Sequence, residues 1–378
     1  MTETPLEIPS GPEALNTAWL TDVLRRNSAV ADAAVSSFSS TLVERQGAAG
    51  VVVRVALEYD RNEPGAPATI IAKFATPYEP LRRLLHAFGG YRTEIEFYRQ
   101  LGADAGIPTP RCFHADIDLA SGFFVLLLED MQGSRVGDPL TPSPEDTELA
   151  IEHLAPFHAK WWKSEGLQAL TWLAQPGTAE FATRVAQARE AFARAVPAIR
   201  QRFGDDFPAI LSAVCESVLT NWDKALARRI DAPTLIHRDF HSQQMFFPSN
   251  GGGRFVVFDW QTVGVGRGAD DLARIVAMGL SRSQREKHER RLIELYYSGL
   301  RANGVVDYEL DHCFDDFRLG LTSSLLINVV AAANVDLDLL AQRAAELGVT
   351  RNDLVEVLFG RLAAAVETHD VLSLLNAM

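Results

Sequence analysis

The pattern of hydrophobic and polar positions divides the chain into a first part with strands and a second part with helices. Short apolar runs bounded by turn residues predict strands at Phe38 to Val43, Val51 to Tyr59 and Thr69 to Ala75. Because only short connections separate these runs, they predict an antiparallel sheet. A helix with one apolar face, beginning near Ser10, is predicted before the sheet.

The buried run from Gly122 to Met131 predicts one more strand, and helical spacing dominates after it. Ser143 has the position of a helix N-cap, with Pro144 as the first helical residue. Further helical repeats follow at 181–202, 210–229, 289–300, 308–330 and 354–375. The pattern therefore predicts a change from strands to helices after the run that ends at Met131.

The stretch from Leu235 to Trp260 contains two aspartates twenty positions apart, Asp239 and Asp259. Each follows a short apolar run, and both are predicted at strand ends beside a glycine-rich turn. Phosphoryl transfer uses two such carboxylates, one to accept a hydrogen bond from the attacking hydroxyl and one to hold magnesium. A hairpin with two surface aspartates is the alternative.

Lys73 interrupts the apolar run of its predicted strand, where an ammonium group is costly unless it is paired. In the helical segment that follows, Glu94 shares a face with Phe97 and Leu101, whereas Glu96 lies on the more polar side. The spacing therefore predicts an ion pair between Lys73 and Glu94, the arrangement that kinases use at nucleotide phosphates. The alternative is an edge-strand lysine and a surface glutamate, both in solvent.

Two short motifs carry a resemblance to a known family. The first is His237-Arg238-Asp239 with Gln244, and the second is the run from Val257 to Ala273. Together they resemble the aminoglycoside phosphotransferase and choline kinase superfamily, in its ecdysteroid-kinase-like bacterial branch. That family has His-Gly-Asp and an Asn five residues after the Asp, so Arg238 and Gln244 are departures from its pattern.

The resemblance implies an α+β, protein-kinase-like two-lobe fold of two domains. Residues 1–132 would form the N-lobe, with an antiparallel sheet plus helix, and residues 133–378 the mainly helical C-lobe. It implies transfer of the γ-phosphate of ATP or GTP to a hydroxyl of a small molecule, with Mg²⁺ as the metal. Lys73, held by Glu94, would position the phosphates, and Asp239 would orient and deprotonate the hydroxyl. Asp259 and Gln244 would bind the magnesium.

The resemblance also implies further cofactor-binding positions. Gly47 and Gly50 form a hairpin that would cover the phosphates, although an ordinary β-turn explains the two glycines equally well. The main chain near Glu129 and Met131 would hydrogen-bond the adenine. We expect these four residues to contribute to nucleotide binding.

Several neighbouring positions are predicted to have no part in the chemistry. His158 lies on an apolar helix face and is expected in the core. His241 is expected to be a solvent-exposed loop residue, with a contact to substrate as its alternative. The segment from Gly264 to Gly268 is expected to be flexible. The family resemblance assigns Asp271 to bracing the catalytic loop and gives Asp270 no role.

Composition and charge narrow the class of partner. The net charge of -13 argues against nucleic acid and is compatible with a cationic or neutral small molecule. Three cysteines without a CxxC motif give neither a zinc nor a disulfide signature. The N-terminus lacks a secretory signal, and the most apolar segment, Ser323 to Ala333, is too short to span a bilayer. We therefore expect a cytoplasmic protein without a membrane partner.

Two alternatives stay open at this point. Because Gln244 replaces the usual Asn, the chain could be a nucleotide-binding pseudokinase or regulatory module with little turnover. The acceptor could be an antibiotic or a metabolite such as a sterol, an amino alcohol or a hydroxyacyl thioester. Aminoglycosides need carboxylates for their amines, and a group of five acids is a candidate cluster, with a solvated helix face as its alternative. These acids are Asp307, Glu309, Asp311, Asp315 and Asp316.

Overall fold

The computed structural model of the protein describes residues 6–43, 50–141, 143–334, 344–345 and 348–378. The chain forms two compact units. One consists of Met1–Ser134 and Pro248–Thr262, and the other of Arg135–Phe247 and Val263–Met378. The two domains read from the sequence stay a prediction, because a compact unit is not by itself an independently folding domain.

The first unit is built on a five-stranded antiparallel sheet in the order β1-β2-β3-β5-β4. Its strands are β1 (Val35–Leu42), β2 (Gly50–Tyr59), β3 (Thr69–Ala75), β4 (Cys112–Ile117) and β5 (Phe124–Glu129). Its helices are α1 (Thr17–Arg26), α2 (Glu79–Ala87) and α3 (Gly90–Gln100). The antiparallel sheet expected from the apolar runs is confirmed.

The helix before the sheet begins later than the sequence pattern predicts. Pro12–Ala14 form a separate 3₁₀ turn, and α1 starts at Thr17. The Asn16 side chain accepts a hydrogen bond of 2.9 Å from the Trp19 amide, and this N-cap sets the start of the helix. The apolar face of α1, including Leu20 and Val23, is buried in the core that contains the sheet.

The second unit is mainly helical. Its helices are α4 (Pro144–Trp161), α5 (Glu165–Ala169), α6 (Ala179–Phe203), α7 (Ala209–Thr220), α8 (Trp222–Arg229), α9 (Gly268–Gly279), α10 (Arg282–Ala302), α11 (Leu310–Ala333), α12 (Arg351–Val355), α13 (Arg361–Thr368) and α14 (Val371–Asn376). The short strands of the chain are β6 (Ser134–Val136), β7 (Pro233–Ile236), β8 (Met245–Pro248), β9 (Val256–Val257) and β10 (Gly264–Arg267). The predicted cap of α4 is confirmed, since the Ser143 hydroxyl accepts from the Asp146 amide at 3.1 Å.

The segment Gly264–Arg267 is a buried strand, and the expectation of a flexible segment was wrong. This strand, β10, pairs antiparallel with β7. Its glycines permit close packing: a Cβ on Gly266 would lie 2.4 Å from the Ile236 Cδ1 atom, and one on Gly268 would lie 2.3 Å from the Tyr296 hydroxyl. The glycines therefore serve packing beside β7 and not chain mobility.

Helix α11 is longer than the apolar segment that the sequence singled out. It is the one described helix whose length and composition would allow it to cross a membrane, and 56% of its apolar window is buried inside the protein. It packs against α9 and α6. Core helices of this kind meet the same criteria of length and hydropathy.

Candidate functional site

Lys73 lies at the centre of an ion cluster in the first unit. Strand β3 is an interior strand, with Val52 and Leu126 opposite Lys73, so the alternative of an edge-strand lysine was wrong. The Lys73 Nζ atom lies 2.9 and 2.8 Å from the two carboxylate oxygens of Glu94 and 2.8 Å from Oδ1 of Asp259. The predicted ion pair between Lys73 and Glu94 is present, and Asp259 is its third member.

Burial gives this cluster its electrostatic character. The Glu94 side chain is 2% exposed and that of Lys73 is 14% exposed. Burial disfavours the charged ammonium, but the charges of Asp259 and Glu94 outweigh it and raise the pKa of Lys73. Burial also raises the pKa of Glu94, against the effect of Lys73. Lys73 is therefore a fixed cation at neutral pH.

Asp259 is held in an uncommon backbone conformation. Its φ of 63° lies in the left-handed region, which a non-glycine residue adopts at a cost of roughly 1–3 kcal/mol when its surroundings impose it. The next residue, Trp260, is fully buried and stacks on Phe97 with ring centroids 3.9 Å apart. The Gln261 amide donates to Asp259 Oδ2 at 3.3 Å. This packing fixes the carboxylate against Lys73.

The remaining predicted cofactor residues of the first unit have structural contacts of their own. A Cβ on Gly50 would lie 2.1 Å from the Phe74 carbonyl oxygen, so strand packing requires glycine there. Gly47 lies outside the described residues. The Glu129 carboxylate accepts from Arg254 at 2.5 Å, and the Met131 carbonyl accepts from the Ser134 amide at 3.2 Å. Nucleotide binding by these residues stays a prediction.

In the second unit, Asp271 holds the loop that carries Asp239. The amides of His237 and Arg238 donate to the Asp271 carboxylate at 2.7 and 2.8 Å. The bracing of this loop by Asp271, expected from the family resemblance, is thereby confirmed. His158 is fully buried and contacts Asp271 at 3.4 Å, so its expected place in the core is also confirmed.

Arg238 has a φ of 69°, in the left-handed region that favours glycine. The resembling family has glycine at this position, and the conformation explains why. Arg238 adopts it here while its guanidinium donates to the Val265 carbonyl at 3.3 Å. A Cβ on Gly264 would lie 2.4 Å from that guanidinium. Arg238, which stands where the family has glycine, thus packs its guanidinium against Gly264, a residue without a side chain.

The Asp239 carboxylate lies among an arginine, a histidine and an amide side chain. Its Oδ1 atom accepts from Arg274 Nε at 2.8 Å and lies 3.3 Å from His241 Nε2, while Oδ2 accepts from the Gln244 amide at 3.1 Å. Burial would raise the pKa of the Asp239 carboxyl, but His241 and Arg274 hold it well below its usual range. Asp239 is therefore fully ionised at neutral pH, suited to orienting a hydroxyl group.

The sequence interpretation missed Arg274 and misjudged His241. The His241 side chain is partly buried against Asp239, and not a free loop residue. The Arg274 side chain is 6% exposed, and its NH1 donates to the Asn328 Oδ1 atom at 3.2 Å. Asn328 in turn donates to the Leu358 carbonyl at 2.7 Å. A signal for Arg274 existed: like Lys73, it is a charge inside an apolar run, here that of α9.

Asp270 and the candidate acid cluster also differ from expectation. Asp270 is paired with the buried Arg267 at 3.1 Å, so it has a structural role after all. Asp316, expected on a solvated face or in a pocket cluster, is buried and pairs with Arg267 at 3.0 Å. Asp307 pairs with Lys163 at 2.7 Å, and Asp315 with Arg318 at 3.2 Å. Three of the five acids, Asp307, Asp315 and Asp316, are thus paired with cations of the protein.

A cavity of about 270 Å³ opens beside Asp239 within the second unit. Its polar lining consists of Asp239, His241, Ser242, Gln243, Arg274 and Asn328. Its apolar lining consists of Pro139, Met278, Ile327, Ala331, Val357 and Leu358. The volume is near the lower end of small-molecule sites, which begin at about 300 Å³. A small organic group can therefore reach Asp239.

The two predicted magnesium ligands, Asp259 in the first unit and Gln244 in the second, are each considered as a single oxygen ligand. Among the described residues, no group of three or more His, Cys, Asp or Glu side chains could hold a metal by itself. Asp259 offers a carboxylate, and Gln244, whose nitrogen donates to Asp239, offers its amide oxygen. Such oxygens suit Mg²⁺, which is typically held by one or two protein ligands together with substrate phosphates.

Comparison with known proteins shows to which family this chain belongs. The sequence matches the phosphotransferase enzyme family, APH, over residues 38–303. The chain belongs to this family. The matched span includes the Lys73 cluster and Asp239. The sequence has no match among the curated proteins.

Solved structures with a similar fold include small-molecule kinases. Choline kinase from Cryptosporidium parvum Iowa II has a TM-score of 0.60 at 11% identity, covering 96% of this chain and 99% of that one. A choline/ethanolamine kinase family protein from Mesorhizobium loti has a TM-score of 0.50 at 15% identity, covering 96% and 99%. LicA in complex with AMP has a TM-score of 0.50 at 11% identity, covering 93% and 98%. The kinase-like fold is confirmed, and the family supports a small-molecule phosphotransferase.

Proposed function

We propose that the protein transfers the γ-phosphate of ATP or GTP to a hydroxyl group of a small molecule, with Mg²⁺. The observation that carries the proposal is the pair of charge clusters, Lys73 with two carboxylates and Asp239 with an arginine and a histidine. The family match and the AMP complex of the structurally similar LicA support the use of a nucleotide. A cytoplasmic location stays a prediction.

Each residue has a defined part in this proposal. Lys73, fixed by Glu94, binds phosphate oxygens, and the main chain at Glu129 and Met131 binds the nucleobase. Asp259 and Gln244 would hold magnesium, which would supply charge neutralisation at the phosphates. Asp239 accepts the hydrogen bond of the acceptor hydroxyl and orients its oxygen for attack. Transfer forms a bond from this oxygen to phosphorus, breaks the bond to the nucleoside diphosphate, and releases the hydroxyl proton.

The test is a screen of hydroxyl compounds with Mg·ATP and Mg·GTP, in which nucleoside diphosphate and phosphorylated acceptor are both measured. We expect equal amounts of the two products for an accepted compound and loss of both in Asp239→Asn. Diphosphate release without any phosphorylated compound, unchanged in Asp239→Asn, would contradict the proposal.

A second candidate function is a nucleotide-binding module with little turnover, and Gln244 is the observation that favours it. The Gln244 amide nitrogen contacts Asp239 at 3.1 Å, in place of the Asn of the resembling family. This candidate predicts nucleotide binding without transfer. The two candidates separate on Gln244→Asn: if this change turns undetectable transfer into robust transfer, the natural chain is the binding module.

A further inference from the structure

The described lining of the cavity contains one carboxylate, Asp239, and this carboxylate is already paired with Arg274. Asp239 is the only carboxylate among the described residues that line the cavity. Arg274 lies 2.5 Å from it and His241 lies 3.3 Å from it. A cationic acceptor entering here meets a carboxylate whose charge is compensated and a guanidinium of like charge. The lining therefore disfavours a cation.

The acids next to lining residues in the sequence are also committed elsewhere. Asp138 precedes Pro139, and its carboxylate accepts from the Leu140 amide at 2.9 Å and from the Thr141 hydroxyl at 3.3 Å. Glu356 precedes Val357, and it forms a two-point pair with Arg282 at 2.8 Å for each bond. The charge of Glu356 is therefore compensated by Arg282, and the Asp138 carboxylate is turned toward its own loop by neutral donors.

The cavity also lacks the other means of binding a quaternary ammonium group. Such groups are recognised by the faces of Trp, Tyr and Phe rings. None of the described lining residues is one of these three types. Half of the lining is apolar, from Pro139 to Leu358, and such a wall gains free energy by covering an apolar group.

The Arg274 guanidinium cannot readily turn away to make room for a cation. It is fixed between Asp239 and Asn328, and Asn328 is anchored to the Leu358 carbonyl. That carbonyl lies in the π-helical turn Glu356–Gly360, a type of turn often found at functional sites. The wall of the cavity and the position of Arg274 are therefore set by the same contacts.

We propose that the acceptor is an uncharged hydroxyl compound whose body next to the hydroxyl is apolar, and that Arg274 excludes cationic amino alcohols. The inference rests on the proposed function, because it names the acceptor of the same site. It sets this chain apart from the choline kinase to which its fold is similar, since choline is a cation.

Two probes of nearly equal shape test the proposal. Choline and 3,3-dimethylbutan-1-ol carry the same hydroxyl and differ in a charged nitrogen against a neutral carbon. Their dissociation constants for the full chain are measured by ligand-observed NMR titration, without nucleotide. We expect the neutral alcohol to bind about tenfold tighter or more, since choline would have to lie beside Arg274 without a free carboxylate. Equal binding, tighter choline binding, or no binding of the neutral alcohol would overturn the proposal.

Two pairs of variants test where the neutral alcohol binds and which residue causes the preference for it over choline. Ala331→Phe, which fills the cavity, should abolish binding of the neutral alcohol. Ala193→Phe, in a separate groove between α6 and α8, should leave it unchanged. Arg274→Gln should bring choline binding up to that of the neutral alcohol, whereas Arg274→Lys should keep the wild-type preference. A preference that is unchanged in a folded Arg274→Gln protein would overturn the role of Arg274.

The binding experiment is separate from the test of phosphate transfer. Preferential binding of the neutral alcohol, without transfer from ATP or GTP to any alcohol, would refute the proposed function and leave the binding preference intact. Transfer to cationic acceptors together with tighter choline binding would support the proposed function and refute the proposed preference for a neutral acceptor.

Discussion

The two charge clusters have opposite polarity. In the first unit, a buried cation, Lys73, is held by two carboxylates, and in the second a carboxylate, Asp239, is held by Arg274 and His241. Each central group is thereby locked in its ionised form, the first as a binder of anions and the second as an acceptor of hydrogen bonds. In both clusters, the neighbouring side chains determine the protonation state of the central group, and with it what that group can bind.

The largest expected effect comes from removing the charge of Asp239. Asp239→Asn keeps the shape but takes away the carboxylate that would orient the hydroxyl, so we expect kcat to fall by about 10³-fold. Nucleotide affinity should change less than about twofold, because Asp239 is assigned to the acceptor and not to the nucleotide. Steady-state kinetics of phosphate transfer check both values.

The control for this variant is Asp205→Asn, an exposed aspartate, which should leave kcat unchanged. A loss confined to nucleotide affinity would mean that the two clusters have exchanged roles.

The next effect is on nucleotide binding. Lys73→Met removes the cation and leaves two carboxylates facing each other, which repel the phosphates. We expect the dissociation constant of a fluorescent ADP analogue to rise by about tenfold or more, equal to about 1.4 kcal/mol. The exposed Lys287→Met is the matched control and should bind the analogue as the wild type does. Unchanged binding in Lys73→Met would leave the cluster with a structural role only.

The clusters should also differ in the pH at which they lose their stabilising effect. The pKa of Asp239 is lowered in the folded chain, so its stabilisation is present above about 4, the unfolded value, and is lost as pH falls toward the folded value. The pKa of Lys73 is raised, so its stabilisation is present below about 10.4 and is lost as pH rises through the folded value.

Urea unfolding at several pH values tests this opposition. The stability difference between wild type and Asp239→Asn should shrink only in acid. That between wild type and Lys73→Met should shrink in alkali, where Lys73 of the wild type loses its proton. A difference for Lys73→Met that stays constant in alkali, or one for Asp239→Asn that does not shrink in acid, would contradict the assignment of opposite polarity.

The two clusters also differ in how far the sequence predicts them. Lys73 and Glu94 follow from local patterns, a charge inside a strand and an acid on the apolar face of a helix, and each pattern is visible within about ten residues. The contacts of Asp239 depend on α9 and α11, whose packing joins residues far apart in the chain. The charge of Arg274 inside the apolar run of α9 was a local signal. The sequence around Asn328, in the apolar helix α11, did not indicate that this side chain contacts Arg274 and Leu358.

The sequence pattern also did not predict the backbone conformation at two residues of the site. Arg238 and Asp259 both have positive φ, although neither is glycine, and propensity rules predict the opposite for such residues. The segment from Gly264 to Gly268 was expected to be flexible, since its glycine spacing does not match a dinucleotide-binding GxGxxG motif. Only the close approach of Ile236 and Arg238 shows that its glycines serve a packed strand.

The smallest expected effect concerns Asn328, which joins Arg274 to the C-terminal segment. Asn328→Ala removes the acceptor for Arg274 NH1 and the donor to the Leu358 carbonyl, both in a buried place. We expect a loss of about 1–3 kcal/mol in unfolding free energy. The fall in kcat should be only about threefold, since Arg274 keeps its contact with Asp239. Urea unfolding and steady-state kinetics measure the two changes.

Asn328→Asp separates the two contacts, because a carboxylate still accepts from Arg274 but no longer donates to Leu358. If the contact with Arg274 governs activity, Asn328→Asp keeps the wild-type kcat while losing stability. If the contact with Leu358 governs it through the shape of the cavity, kcat falls in both variants alike. Exposed Asn352→Ala should change neither quantity. A larger fall in kcat for Asn328→Ala than for Asp239→Asn would mean that the cavity wall, and not the charge on Asp239, limits the reaction.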